Sequence, residues 1–263
     1  MEFIRPLDDS KVTDLGFPGY RAQFLSHLES ALILASHVEG GGSRPGLHYH
    51  HADQFYFLLA GTMTVQLGDD VHRAPPGSLV FIPAGLPHRN WNEGPETETH
   101  FEMIVPSPRP GGERLALPVD SVDAIPAGDR TEAPGVVSSA DPDAFSEPVP
   151  GFRIQRLAGP GSGSHRAVVN YAEVDPGRSG PGMHIHHFDQ YYLVLEGELT
   201  IEVALETHVV GPTTLVVLPA GVPHRQHNEA AETERHLAIL TPAPVEGRPM
   251  DVAVTFAPTG EAI

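Results

Sequence analysis

Four short apolar runs punctuate the first ninety residues: "SALILASHV" from Ser30, "QFYFLLA" from Gln54, "TMTVQL" from Thr62 and "SLVFIPA" from Ser78. Each is rich in β-branched or aromatic residues and is bounded by Gly, Pro or Asp, with turn signals about every ten residues, the pattern of short strands rather than helices. "RAVVNYAEV", "QYYLVLE", "ELTIEVAL" and "TLVVLPA" form a matching series from Arg166 onward. The chain therefore reads as all-β, a sandwich or barrel used twice. In "QFYFLL" both alternating faces are apolar, with Tyr56 and Leu58 on one and Phe55, Phe57 and Leu59 on the other. A strand with one wet face would alternate, so these strands are expected to be covered on both sides, by the other domain or by a second copy of the chain.

The two series stay in register. "GLHYHHADQFYFLLAG" from Gly46 returns as "GMHIHHFDQYYLVLEG" from Gly182, and "IPAGLPHRNWN" from Ile82 returns as "LPAGVPHRQHN" from Leu218. Upstream, "PGYRAQ" from Pro18 matches "PGFRIQ" from Pro150 at a shorter offset, which places a small insertion in "GPGSGS" after Ala158. This is a duplication. It predicts an N-terminal domain over 1–118, a polar linker over 119–137 and a C-terminal domain over 138–263.

Composition narrows the chemistry. The 263 residues carry a formal charge of −18, which disfavours nucleic acid and anionic membrane surfaces as partners. No apolar run approaches the roughly 18 residues of a spanning helix, and the N-terminus lacks the form of a signal peptide; a soluble, cytoplasmic protein is the expectation. There is no cysteine, so any metal must rest on His, carboxylate or amide groups, and there are 16 His. Residues two apart on a strand share a face. His48 and His50 can thus converge on one ion, with Gln54 heading the next strand and His88 arriving from a "PAGLPH" turn. His184, His186, Gln190 and His224 repeat the set. One divalent transition metal per domain is predicted, bound by the three His, with the Gln as a weak fourth ligand. His51 and His187 are expected to point outward. Asp53 and Asp189 either orient a ligand imidazole or form a turn; His100 and His236 either line the barrel or pair with the backbone.

These residues resemble the cupin superfamily, and specifically its two-domain bicupins. The first cupin motif, with Gln in place of Glu, is matched by Gly42, His48, His50, Gln54 and Gly61; the second is matched by Gly77, Pro83, Gly85, His88 and Asn92. The second copy keeps His184, His186, Gln190, Gly197, Pro219, Gly221, His224 and Asn228, with Arg178 and Thr213 at the two leading glycine positions. The resemblance implies tandem jelly-roll β-barrels and an ion such as iron, manganese, nickel, cobalt, copper or zinc.

Gln for Glu leaves a three-His divalent site at +2 rather than +1. That favours an anionic small-molecule substrate, and an amide cannot serve as general base. Tyr56 and Tyr192, on the same face as the glutamines, either donate a hydrogen bond to substrate or pack the core. Arg89 and Arg225 either clamp an anion or lie on the surface. Within the cupins the best match is a dioxygenase acting on a small enolisable or aromatic anion, resembling the quercetin- and diketone-cleaving members. A non-redox lyase or isomerase is the alternative, and a non-catalytic small-molecule binding protein the third reading.

Overall fold

A computed structural model describes residues 2–41, 45–109, 111–112 and 114–256; motif residue Gly42 lies outside them. The described chain is built from short antiparallel strands and four 3₁₀ turns, with no α-helix, and no helix is long and apolar enough to cross a membrane. The fold is two tandem jelly-roll barrels, each pairing a seven-stranded sheet with a five-stranded one. In the N-terminal barrel Asp53–Ala60 lies between Ser78–Ile82 and Glu98–Val105 in the large sheet; His48–Tyr49 and Met63–Leu67 flank His88–Trp91 in the small one. Asp189–Glu196, Thr214–Leu218, Glu234–Thr241, His184–Ile185 and His224–His227 repeat this order.

The doubly apolar strands are covered on both faces, as their pattern requires. Tyr56, Leu58, Val80 and Ile82 pack inside the N-terminal barrel, and Tyr192, Val194, Val216 and Leu218 inside the C-terminal one. Their alternate residues, Phe55, Phe57, Phe81 and Met103 with Tyr191, Leu193, Val217 and Ile239, form one continuous core between the barrels. Burying such side chains stabilises the pair by about 1.5–3 kcal/mol each. The domains therefore pair within one chain. At the edge of this core Ser30 Oγ donates to Asp189 Oδ2 at 2.5 Å, and Arg166 Nη1 donates to Asp53 Oδ1 at 3.1 Å.

The barrels also exchange edge strands. Ile4–Pro6 pairs with 214–216 of the C-terminal large sheet, and Val136–Ser139 pairs with 78–81 of the N-terminal one. The 119–137 segment is accordingly not a free spacer. Val136 and Val137 belong to a sheet, and Asp129 accepts a hydrogen bond from Tyr49. The physical reason is that Ser78–Ile82 is buried at every residue, so its outer edge needs a covering strand.

At the turn before that buried strand, Gly77 has φ +85°, a left-handed conformation natural to glycine. Thr213 occupies the equivalent place with φ +58°. Both backbone N–H groups donate to the neighbouring strand of the large sheet, to Leu58 O and Val194 O at 2.8 Å; the turn keeps its shape although the glycine is gone.

Candidate metal centres and cavity

His48 and His88 face one another directly across two paired strands, as do His184 and His224. His50 and His186, two residues along, complete each triad. In each group one ligand nitrogen per residue lies within 4.8 Å of the others. Every ring is held by its far nitrogen. The Nδ1–H groups donate to backbone carbonyls, His48 to Gly46, His50 to Leu115 and His88 to Leu86, then His184 to Gly182, His186 to Met250 and His224 to Val222, all at 2.6–2.9 Å. A carbonyl only accepts, so each Nε2 presents a lone pair inward.

The donors fit a cation. His50 Nε2, His88 Nε2 and Gln54 Oε1 are buried, with no hydrogen-bond partner in acceptable geometry among the described residues. In the C-terminal triad His184 Nε2 lies 3.2 Å from His186 Nε2, and Gln190 Oε1 lies 3.0 and 2.9 Å from the Nε2 atoms of His186 and His224. Those lone pairs face each other with no proton among them, an arrangement a positive ion relieves. Burial also keeps three of the imidazoles neutral, as metal binding requires. Burial, reinforced by the His48 ring, lowers the pKa of His50 to about 4. Burial lowers His224 to about 3 and His88 well below its usual value. The chain has two His-rich metal-binding sites, one per domain.

The Asp next to each Gln secures the turn that carries the third His: Asp53 Oδ1 accepts from the N–H of Ala84, and Asp189 Oδ1 from that of Ala220. His51 and His187 are exposed. Arg89 donates to Gln66 and Arg225 pairs with Glu202 on the outer face of the small sheets, away from both triads.

Deeper in each barrel, His100 donates from Nδ1 to Glu98 at 2.9 Å, and His236 faces Glu234 in the same way. In the N-terminal barrel a second carboxylate joins. Glu102 accepts from Gln54 Nε2 at 2.6 Å and from Ser36 Oγ at 3.1 Å, and lies 3.8 Å from His100 Nε2. Burial pulls the His100 pKa down, but the charge of Glu98, its hydrogen bond to the ring and the nearby carboxylate of Glu102 outweigh it and raise the ring to about 9. Burial would raise Glu102, yet His100 and Gln54 bring it below the usual carboxylate value. An imidazolium thus sits between two buried carboxylates. In the C-terminal barrel Ala238, Ala172 and Phe152 stand where Glu102, Ser36 and Tyr20 stand in the first.

A cavity of about 520 Å³ opens onto the N-terminal triad. His48, His50, Gln54, Tyr56 and Glu102 line its inner part, and Leu15, Phe17, Leu115, Pro118 and Arg114 lie further along its wall. Tyr56 lies edge-on to His100 and Tyr20 approaches its Nε2; burial raises both phenols well above their usual pKa, so they remain protonated. Tyr192 already directs its hydroxyl to Gln226 at 3.1 Å and Gln190 at 3.3 Å.

Sequence reasoning missed Glu102, Tyr20, Leu115 and Arg114. For Glu102 a signal existed: in "ETHFEMIV" Glu98, His100 and Glu102 alternate, whereas "ERHLAILT" breaks the series at Ala238. No such signal marks Leu115, which contributes a backbone carbonyl.

A cupin domain model matches residues 35–105 and again 170–240, and the chain belongs to the cupin family, with two domains. No curated protein sequence matches it significantly. Among solved structures it is similar to a variant of oxalate decarboxylase from Bacillus subtilis, with TM-score 0.66 and 14% identity over 96% of this chain and 79% of that one. It is likewise similar to AerE from Microcystis aeruginosa, with TM-score 0.65 and 15% identity over 91% and 99%. A further oxalate decarboxylase structure, described for its Mn(II) centres, has TM-score 0.67 and 14% identity over 95% and 79%.

Proposed function

We propose that the chain is a metal-dependent enzyme that acts on a small organic anion in the N-terminal cavity, by non-redox lyase or isomerase chemistry. The observation that carries this reading is the placement of two donors unpartnered among the described residues, His50 Nε2 and Gln54 Oε1, in the wall of a cavity of about 520 Å³, with the equally unpartnered His88 Nε2 in the same triad. In this reading His48, His50 and His88 hold the ion with Gln54 as a weak fourth ligand, and His184, His186 and His224 with Gln190 hold the second. The bound ion supplies a Lewis acid for a carbonyl or carboxylate oxygen. Arg114 draws the anion in, Leu15, Phe17 and Pro118 hold its apolar part and limit water, and the protonated hydroxyls of Tyr20 and Tyr56 donate hydrogen bonds to an oxyanion. Oxalate decarboxylase provides an example of lyase chemistry on the same scaffold.

A dioxygenase acting on an enolisable or aromatic anion is the second reading, favoured by the aromatic side of the same cavity, Phe17, Tyr20 and Tyr56. The metal-loaded full chain, offered oxalate, keto acids, diketones and flavonols with and without oxygen, separates the two. Turnover indifferent to oxygen, lost in His50→Ala, is expected. Strict oxygen consumption supports the dioxygenase; binding without turnover across the panel overturns both in favour of a binding protein.

A further inference from the structure

We propose that Glu102 is a positioning residue that acts on the N-terminal centre through Gln54, and that it makes the two centres unequal, the N-terminal one holding a divalent ion more tightly. This rests on the reading of Gln54 as a ligand. An amide has two ends that differ in chemistry: its oxygen can meet a cation and its NH₂ cannot. At Gln54 the choice is made from behind. Nε2 donates to Glu102 Oε1 at 2.6 Å, and an ionised carboxylate only accepts. Oε1 is thereby turned away from Glu102, and it is the buried atom left without a partner, on the side chain that adjoins His50. Ser36 Oγ on the other Glu102 oxygen and the His100 ring 3.8 Å away hold the carboxylate still.

The same bond carries charge to the centre. The carboxylate expected at position 54 is present one side chain further out, and the amide between it and the triad is polarised toward its oxygen. The C-terminal barrel lacks this device. Ala238 occupies the place of Glu102 and Ala172 that of Ser36. There the amide of Gln190 has no carboxylate behind it; the nearby Tyr192 hydroxyl, with one proton to give, lies 3.1 Å from Gln226 Oε1 and 3.3 Å from Gln190 Oε1. Outer partners of this kind alter metal affinity by about 10–100-fold when removed.

The arrangement also predicts a difference between two chemically identical substitutions. Gln190→Glu places a carboxylate beside the C-terminal triad with Ala238 behind it, and should tighten that centre. Gln54→Glu places a carboxylate against Glu102 across a contact now 2.6 Å long, and like charges at that range oppose each other. It should fail to tighten the N-terminal centre unless Glu102 is neutralised as well.

The test uses the full chain with Mn²⁺ as probe, each centre isolated by replacing a His of the other (His224→Ala or His88→Ala). Affinity is read by titration, and the ion's surroundings by electron paramagnetic resonance. The wild-type N-terminal centre should bind more tightly than the C-terminal one. Glu102→Gln should weaken the N-terminal centre at least tenfold and change its spectrum, because the amide of Gln54 loses its orienting charge. Gln54→Glu with Glu102→Gln, which exchanges the two groups, should recover wild-type affinity or exceed it; this rescue also separates a lost orientation from a misfolded barrel. Unchanged affinity and spectrum in Glu102→Gln, with Gln54→Ala still weakening the centre, would overturn the role of Glu102 and leave Gln54 a ligand. Unchanged affinity in Gln54→Ala would remove the ligand reading itself.

Discussion

At the scale of single residues, the N-terminal barrel is organised around a buried charge, His100 between Glu98 and Glu102. Its pKa lies at about 9 in the folded protein and near 6.5 in an unfolded chain. Between those values the native state binds the proton and the unfolded state does not, so the slope of unfolding free energy against pH is negative there. The stabilisation is complete below pH 6.5 and is lost as pH rises through about 9. Melting temperatures of the metal-free protein from pH 6 to 10 should fall more steeply for the wild type than for His100→Gln, whatever the offset between the curves; parallel curves would remove the charged ring from the account. The triads themselves are legible in sequence because metal chemistry restricts residue type and spacing. The groups that hold them are less so: the carbonyls of Leu115 and Met250, which fix His50 and His186, come from any residue type and from segments more than sixty positions away.

At the scale of elements, alternation was a guide to four strands in each repeat, but it passed over Tyr20–His27 and Glu98–Val105 and their counterparts Phe152–Ala158 and Glu234–Thr241. It assigned Tyr56 and Leu58 to a barrel interior and Phe55 and Phe57 to the opposite face, and packing agrees. Turns were less transparent. The left-handed conformation of the Gly77 turn persists at Thr213 although a β-branched residue is poorly suited to it. Left-handed backbone costs a non-glycine residue about 1–2 kcal/mol; hydrogen bonds from Thr213 N to Val194 O and from Leu7 N to Thr213 O hold it there. Thr213→Gly should therefore stabilise the C-terminal barrel by about 1 kcal/mol, after allowance for the greater freedom of glycine in the unfolded chain. Gly77→Thr should destabilise the N-terminal one. Denaturant midpoints measure both, and a destabilised Thr213→Gly would show that the threonine side chain contributes more than its backbone strain costs.

At the scale of the whole molecule, the duplication was readable from register, but the exchange of edge strands was not, since sequence order carries no sign that Ile4–Pro6 leaves its own repeat. Phe3 and Ile4 pack against the interior of the C-terminal barrel, and Phe3 O accepts from Val217 N. Val137 packs against the N-terminal interior that includes Tyr56 and Val80; its strand, Val136–Ser139, is to the second repeat what Ile4–Pro6 is to the first, so the repeat begins just inside the expected linker. Each barrel is thus closed by chain from the other repeat, and damage should appear on the opposite side from the change. Deleting residues 2–7 should expose the backbone of 214–218 to hydrogen exchange while 78–82 stays protected. Val137→Asp, which puts a charge against an apolar interior, should do the reverse, exposing 78–82 and sparing 214–218. Exchange followed by mass spectrometry resolves the two segments. If each change instead loosened the barrel of its own repeat, the strands would not be exchanged in solution, and the two domains would be separable units.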